Sequence, residues 1–431
     1  MYSIEQQRHI GMLVDRLMPK LARSAGYDRT HRQVLADPRR HAAWHGREDD
    51  PLEPLRFPVS ADWSRGARLR DVDGNEYTDY AMGFGVQLFG HGPAFIRNAI
   101  ERELKEGSQV GAQCPHAYEA AALICDLTGV ERVAFCNSGT EAVMYALRLA
   151  RAVTERPMIG LFARSYHGAG DEAVHTIPWI RGISPGLQEH VLVLKYGDPS
   201  SLAAIEDHAG RLAGILVEPI QARRPEMQPS SFLRDLRELT ARRGIALIFD
   251  EVLLGFRLHQ GGAQAWFDIR ADLVTYGKIL GGGLPVGAVC GKTSFMAPVD
   301  DDPDKMICLR GTFNKNPFTM AAAVAVLNEL GKQGPALQED LNLRTNALAE
   351  GLNRHFQHSH IPMKLVTAGS LFRFRHKPQW EVFYYHLMDK GFYSNEHRLL
   401  FLSTAHTDDD VERFACAVRE SAEEMKAAGF C

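Results

Sequence analysis

The sequence predicts an α/β protein built on a buried, mostly parallel sheet with helices on both faces. Three observations carry this reading. From about residue 116 onward, short apolar segments alternate with amphipathic ones. The apolar segments are unbroken runs of Val, Ile and Leu, as strands covered on both faces require. The chain has 431 residues, more than one compact core usually holds, so a second, smaller domain is expected.

The elements follow in order. Residues 1–45 are polar with a helical pattern, Ile10, Leu13, Val14, Leu17 and Leu21 falling on one face and Pro19 marking a bend. Residues 68–79 read as two short strands around an Asp73-Gly74-Asn75 turn. Strands are expected at 132–137, 158–162, 191–194, 214–218, 245–250, 273–275 and 286–290, with helices such as 141–154 and 232–243 between them. After about residue 320 come a long helix, strands near 370–375 and 399–403, and a final helix opened by Thr407-Asp408-Asp409-Asp410. The expected division is a linker and part of a small domain at 1–75, a large domain at 76–325 and a small domain at 326–431. No internal repeat or low-complexity stretch interrupts it.

Composition narrows the function. Lys plus Arg number 49 and Asp plus Glu 53, a net charge of −4, and no basic run offers a patch for nucleic acid or anionic lipid. The N-terminus lacks a basic start followed by an apolar stretch, and runs such as 244–249 fall far short of the ~18 residues a membrane span needs. Seven cysteines stand without paired spacing or histidine partners, which reads as reduced thiols in a cytoplasmic protein with no metal site.

Ligands on a parallel sheet bind at the carboxyl ends of its strands. Three motifs stand there. Asn137-Ser138-Gly139-Thr140-Glu141-Ala142 follows one strand and opens a helix. By itself it reads equally as a phosphate cup made of helix N-terminal amides and as a Ser/Thr cap. Asp250 closes the strand ending Ile248-Phe249. A carboxylate there suits a protonated pyridine nitrogen, though alone it reads first as a capping residue. Lys278 lies in Tyr276-Gly277-Lys278-Ile279-Leu280-Gly281-Gly282-Gly283, between two apolar strands. Apolar neighbours imply burial, which lowers an amine's pKa and makes it a Schiff-base nucleophile. The glycines would let backbone pass close to a flat ring. Two further glycine patterns are set aside. Gly287–Thr293 has one residue too few for a Walker loop, and Gly83-Phe84-Gly85 has the wrong spacing for a dinucleotide fingerprint.

The motifs together resemble a known family. Asn-Ser-Gly-Thr-Glu-Ala at 137–142, Ser-Tyr-His-Gly at 165–168, Val-Glu-Pro-Ile at 217–220, Phe-Asp-Glu-Val at 249–252, Gly-Lys at 277–278 and Gly-Thr-Phe-Asn-Lys-Asn-Pro at 311–317 occur in that order. Over about residues 66–425 the chain resembles the class III aminotransferases among the fold-type I pyridoxal 5′-phosphate (PLP) enzymes, in the branch of glutamate-1-semialdehyde aminomutase. The segments 83–91, 218–225 and 310–317 further resemble aminotransferase domains of polyketide and peptide synthetases. The resemblance implies a large PLP-binding domain and a small α+β domain made from both chain ends.

It also implies roles. Lys278 would hold the cofactor and shuttle a proton, Asp250 would pair with the pyridine nitrogen, and Tyr166 and Val252 would cover the ring's two faces. Ser138, Gly139 and Thr140 would hold the phosphate. Thr312 would reach the phosphate of a neighbouring subunit, giving a homodimer with a shared active site. Glu218 and His167 would be supports, a buried structural histidine being an equal reading of the second. Arg398 stands where the aminomutase pattern has a glutamate; it reads as the grip for the α-carboxylate of a glutamate donor, or as an exposed residue starting a strand. The reaction so implied takes an amino group from an amino acid donor, glutamate, to a keto acceptor, a β-ketoacyl thioester on an acyl carrier protein. The alternative is a 2,1-aminomutase or an aminotransferase for a free aldehyde or ketone. A PLP-fold protein without catalysis is disfavoured, since Lys278 and Asp250 are both present.

Overall fold

The computed structural model describes residues 2–37, 50–107, 109–176, 181–394 and 399–430. By contact the chain divides into two units, Met1–Pro93 with Leu343–Cys431, and Ala94–Asn342. These limits lie further along the chain than the expected 75/76 and 325/326.

The first unit opens with α1 (Ile4–Lys20) and α2 (Ala22–His31). The Ser3 hydroxyl accepts from the Gln6 N–H, and the Gln6 side chain accepts from the Ser3 N–H, so α1 starts on a reciprocal cap. Ile10, Leu13 and Leu17 are its buried stripe. Pro19 falls in the last turn, so the expected bend is the break between the two helices at Leu21. Strands β1 (Ala61–Arg65), β2 (Arg68–Asp71) and β3 (Glu76–Asp79) are antiparallel, and Gly74 takes φ +91° in the tight turn between β2 and β3. The Asp71 carboxylate closes that turn by accepting from the N–H groups of Asp73 and Asn75.

The second unit begins with α3 (Ala94–Glu106) and α4 (Pro115–Thr128). Its sheet strands are β4 (Arg132–Cys136), β5 (Met158–Phe162), β6 (Val191–Leu194), β7 (Leu212–Val217), β8 (Ala246–Asp250), β9 (Leu273–Gly277) and β10 (Gly287–Gly291). Between them run α5 (Gly139–Thr154), α6 (Pro199–Asp207) and α7 (Ser230–Arg243). The strand order is β4-β10-β9-β8-β7-β5-β6, parallel from β6 through β9, with β10 antiparallel to both β9 and β4. The expected strands thus form one sheet, each within two residues of its expected limits. Every residue of β5, β7, β8, β9 and β10 is buried, which is why these strands read as continuous apolar runs, whereas β6 at the sheet edge is partly open. Val143, Leu147 and Leu149 of α5 pack on Ile159, Leu216, Ile248, Leu273 and Val289 of the sheet.

The long helix expected after residue 320 is two helices. α8 (Pro317–Gln333) starts on the Asn316 side chain, which accepts from the Phe318 N–H at 3.1 Å, and α9 runs Ala336–His358. Gly334 and Pro335 separate them, because proline has no N–H for the ladder and pushes the preceding residue out of the helical region.

The chain's end completes the first unit. β11 (Lys364–Ala368), β12 (Leu371–Arg375) and β14 (Leu400–Phe401) make one sheet, and β13 (Phe392–Tyr393) joins β3 in parallel. Helix α10 (Val382–Asp389) precedes β13, and α11 (Asp408–Ala427) is closed at its start by Thr407 and Asp410 in a capping box. Among the described residues no helix is long and apolar enough to cross a membrane, and no group of three or more His, Cys, Asp or Glu side chains is arranged to hold a metal ion.

Candidate active site

The carboxyl ends of β4, β8 and β9 bring the sequence motifs together within the second unit. Beyond β4, Ser138 takes extended φ/ψ angles and caps α5, its hydroxyl accepting from the Glu141 N–H at 3.2 Å. The capping reading is therefore realised. Helix geometry still leaves the Gly139 and Thr140 amides without an intrahelical acceptor, and the Ser138 hydroxyl keeps its proton to donate. Glu141 turns back to accept from the Asn137 N–H at 2.7 Å. Thr140 Oγ1 accepts from the Ala169 N–H at 3.3 Å, which ties the 165–169 loop to the start of α5.

Asp250 is the last residue of β8 and is buried. Its Oδ2 lies 2.7 Å from Nδ1 of His167. Its Oδ1 accepts from the Val252 N–H and from the Thr275 hydroxyl, both at 3.1 Å. A carboxylate only accepts, so His167 carries its proton on Nδ1. His167 Nε2 is buried without a hydrogen-bond partner.

Glu218, just past β7, is buried too. It accepts from the Tyr166 N–H at 3.2 Å and the Ala222 N–H at 3.4 Å. Burial pushes its carboxyl up to about 7; His167 opposes that shift and Asp250 adds to it. Tyr166 remains 54% exposed.

Lys278 follows β9 directly. Its φ of +47° is in the left-handed region, which costs a non-glycine residue about 1 kcal/mol. Burial draws its amine below the ordinary lysine value; Asp250 and Glu218 pull it back up, and Arg257 lowers it further. The strand pairing sets Asp250 opposite Thr275, three residues before Lys278. The site thus holds a lysine of reduced basicity, two buried carboxyls, one imidazole and a helix N-terminus.

Two of the glycines beside Lys278 are needed for packing. A β-carbon at Gly281 would lie 2.9 Å from Val286, and one at Gly282 would lie 2.9 Å from Ile96. They pack the chain against itself. Gly287, on β10, lets that strand pass against the Ser138 carbonyl. Thr275, Gly287 and Asn314 were missed by sequence reasoning. The threonine stands out as a polar residue in an apolar strand, and Asn314 lies inside the 311–317 motif, which does not tell its partner.

Thr312 is exposed. Its segment is tied to the start of α5 in the same chain, where the Asn137 amide donates to Asn314 Oδ1 at 2.8 Å. Arg398 lies outside the described residues.

A sequence profile of class III aminotransferases matches residues 53–406. The glutamate-1-semialdehyde 2,1-aminomutase of Alkaliphilus oremlandii is 36% identical over 395 residues, covering 86% of this chain and 92% of that one. Among solved structures, an omega-transaminase from Sphaerobacter thermophilus is 29% identical with a TM-score of 0.84, covering 94% of this chain and 98% of the other. A transaminase with PLP bound is 27% identical with a TM-score of 0.86, covering 95% and 99%.

Proposed function

Because the chain belongs to the class III aminotransferases, we propose that it moves an amino group at the carboxyl ends of β8 and β9, with Lys278 as the residue that holds its cofactor. It is an enzyme, and that cofactor is pyridoxal 5′-phosphate. The observation that carries the site assignment is the pair formed by Lys278, an amine weakened by burial, and Asp250, a buried carboxylate fixed from three sides. The residues fit the group. Asp250 meets a ring nitrogen, and the amides of Gly139 and Thr140 with the Ser138 hydroxyl meet a phosphate.

When bound, PLP supplies an aldehyde that condenses with amines and a ring that accepts the electron pair of a broken C–H bond. Lys278 does the rest of the acid–base work in this proposal. Its burial favours the neutral form of Nζ, which would hold the cofactor and would take and return the substrate's C–H proton. Asp250 would face the ring nitrogen, oriented by His167. Tyr166 and Val252 cover the two ring faces, and Glu218 steadies the loop that carries Tyr166. Thr312 reaches the phosphate of a second copy, making the working unit a homodimer.

For the substrate, the 34–36% identical relatives named glutamate-1-semialdehyde 2,1-aminomutase support a 2,1-amino shift, or amino exchange with a free aldehyde or ketone. A second reading, transfer from glutamate to a separate keto acceptor, is favoured by Arg398 in place of the aminomutase glutamate. A carrier-bound thioester as that acceptor has only the motif likeness at 83–91, 218–225 and 310–317 behind it.

Borohydride reduction of the yellow protein should fix the cofactor on the peptide bearing Lys278; a label on another lysine overturns the site. Glutamate-1-semialdehyde should yield 5-aminolevulinate without any added donor. If it does not, and glutamate alone bleaches the yellow form, the second reading replaces the first.

A further inference from the structure

We infer that Thr275 is a positioning residue that dictates which oxygen of Asp250 meets the cofactor. The inference rests on the reading of Asp250 given above. An ionised carboxylate offers about four acceptor positions, two on each oxygen. Oδ1 of Asp250 accepts from the Val252 N–H and from the Thr275 hydroxyl, so both of its positions are filled. Oδ2 accepts from His167 Nδ1 alone. One position is left, and it is on Oδ2.

The count depends on Thr275. Without its hydroxyl, Oδ1 and Oδ2 would each hold one donor and one open position. The carboxylate could then present either edge to a ring N–H. With the hydroxyl in place, only Oδ2 is available, and it is the oxygen whose direction His167 fixes from the other side. The hydroxyl itself has little freedom. Thr275 is fully buried, and its residue pairs with Asp250 across β8 and β9. The Glu251 N–H donates to the Thr275 carbonyl at 3.0 Å, which locks the register on both sides of the contact. Branching at Cβ restricts χ1, so the donor has few other orientations before any ligand arrives.

Position 275 in the middle of a fully buried strand asks only for an apolar residue, and the neighbouring Leu273 and Val274 meet that demand. A hydroxyl there is a cost unless it is hydrogen-bonded. That hydroxyl donates to the carboxylate of Asp250 at 3.1 Å. The threonine is accounted for by the carboxylate and not by the core.

The test compares Thr275→Val, which keeps the shape and removes the donor, with Thr275→Ser, which keeps the donor. Two readouts apply to the holoenzyme and its reconstitution from apoprotein: the dissociation constant for PLP, and the pH midpoint of the visible band of the lysine-bound cofactor. The valine variant should still form the band, since Lys278 is untouched. Its PLP dissociation constant should rise roughly tenfold to a hundredfold, as for loss of one hydrogen bond to a charged group, and its midpoint should move by at least about half a pH unit. Serine should restore both. Valine indistinguishable from wild type in both readouts overturns the inference, and so does serine behaving like valine, which would make the effect one of packing. If valine does not fold, Thr275→Ala carries the same comparison. A wild-type protein that never forms the band would sink the parent reading and this one together, which separates that failure from the others.

Discussion

Val252 occupies the space that a side chain at position 139 would need: a β-carbon on Gly139 would lie 2.7 Å from its Cγ1 and 3.1 Å from its Cγ2. The same methyl group lies 3.3 Å from the place of a β-carbon on Gly277. One branched side chain after β8 is therefore wedged between the start of α5 and the end of β9. That side chain packs against both the segment proposed to hold the phosphate and the strand end that precedes Lys278.

Gly139→Ala should then destabilise the protein by about 1–3 kcal/mol, the usual cost of overpacking a close contact, and lower its PLP content. Adding Val252→Ala should return most of the lost stability. Thermal melts and cofactor absorbance of the two single variants and the double variant form the cycle. A double variant no better than Gly139→Ala would show that the two positions do not compete for one space.

Glu218 gives a pH dependence of known sign. Its folded-state pKa is raised from 4.5 to about 7 by burial. A raised acid favours the folded state at low pH, and that contribution is lost as pH climbs from the unfolded value through the folded one. Glu218→Gln cannot ionise, so its stability relative to wild type should improve between pH 5 and pH 8, by on the order of 2 kcal/mol. Denaturant midpoints at the two pH values measure this. A constant offset would mean that Glu218 is not titrating across that range.

The N-terminal helix carries a dependence of the opposite sense. His9 Nε2 faces His386 Nε2 at 2.8 Å, and His386 Nδ1 lies 3.1 Å from the Glu424 carboxylate. Glu424 only accepts, so Nδ1 of His386 carries its proton and its Nε2 must accept from His9. Protonating His386 sets two N–H groups against each other. Burial holds His386 below its ordinary 6.5, Glu424 pulls it upward, and His9, Lys390 and Arg16 lower it. A depressed folded-state pKa means stability present above pH 6.5 and lost as pH falls below it, because the unfolded chain then binds more protons. The loss should be about 1–2 kcal/mol by pH 5, with faster amide exchange in α1. His386→Gln should flatten the decline. An equal slope in the variant would assign the acid sensitivity to other groups.

Arg398→Ala tests the donor reading. Loss of a two-point, charge-assisted contact should slow bleaching of the yellow form by glutamate roughly fiftyfold. The return half-reaction from the pyridoxamine form should change much less. Stopped-flow spectra separate the two, and an unchanged glutamate step would mean that Arg398 does not grip the donor.

The sequence by itself determined the α/β class, the seven strands of the large sheet and the loops that carry Ser138, Asp250 and Lys278, because each rests on local pattern: unbroken apolar runs, helix-cap residues, a lysine among glycines. It also held the Gly334-Pro335 break between α8 and α9, which the apolar periodicity on either side obscured. What only the tertiary structure decided are contacts between residues far apart in the chain. Thr275 reaches Asp250 because β8 and β9 pair in one register and not another. Gly287 faces Ser138 because β10 pairs with β4, and Asn314, in a turn before α8, meets Asn137 from far along the chain. A shift of one residue along a strand turns every side chain to the opposite face, and nothing in a strand's own composition says which register its neighbour will take. The residue types of the site were therefore written locally, and their partners were chosen by how the strands align.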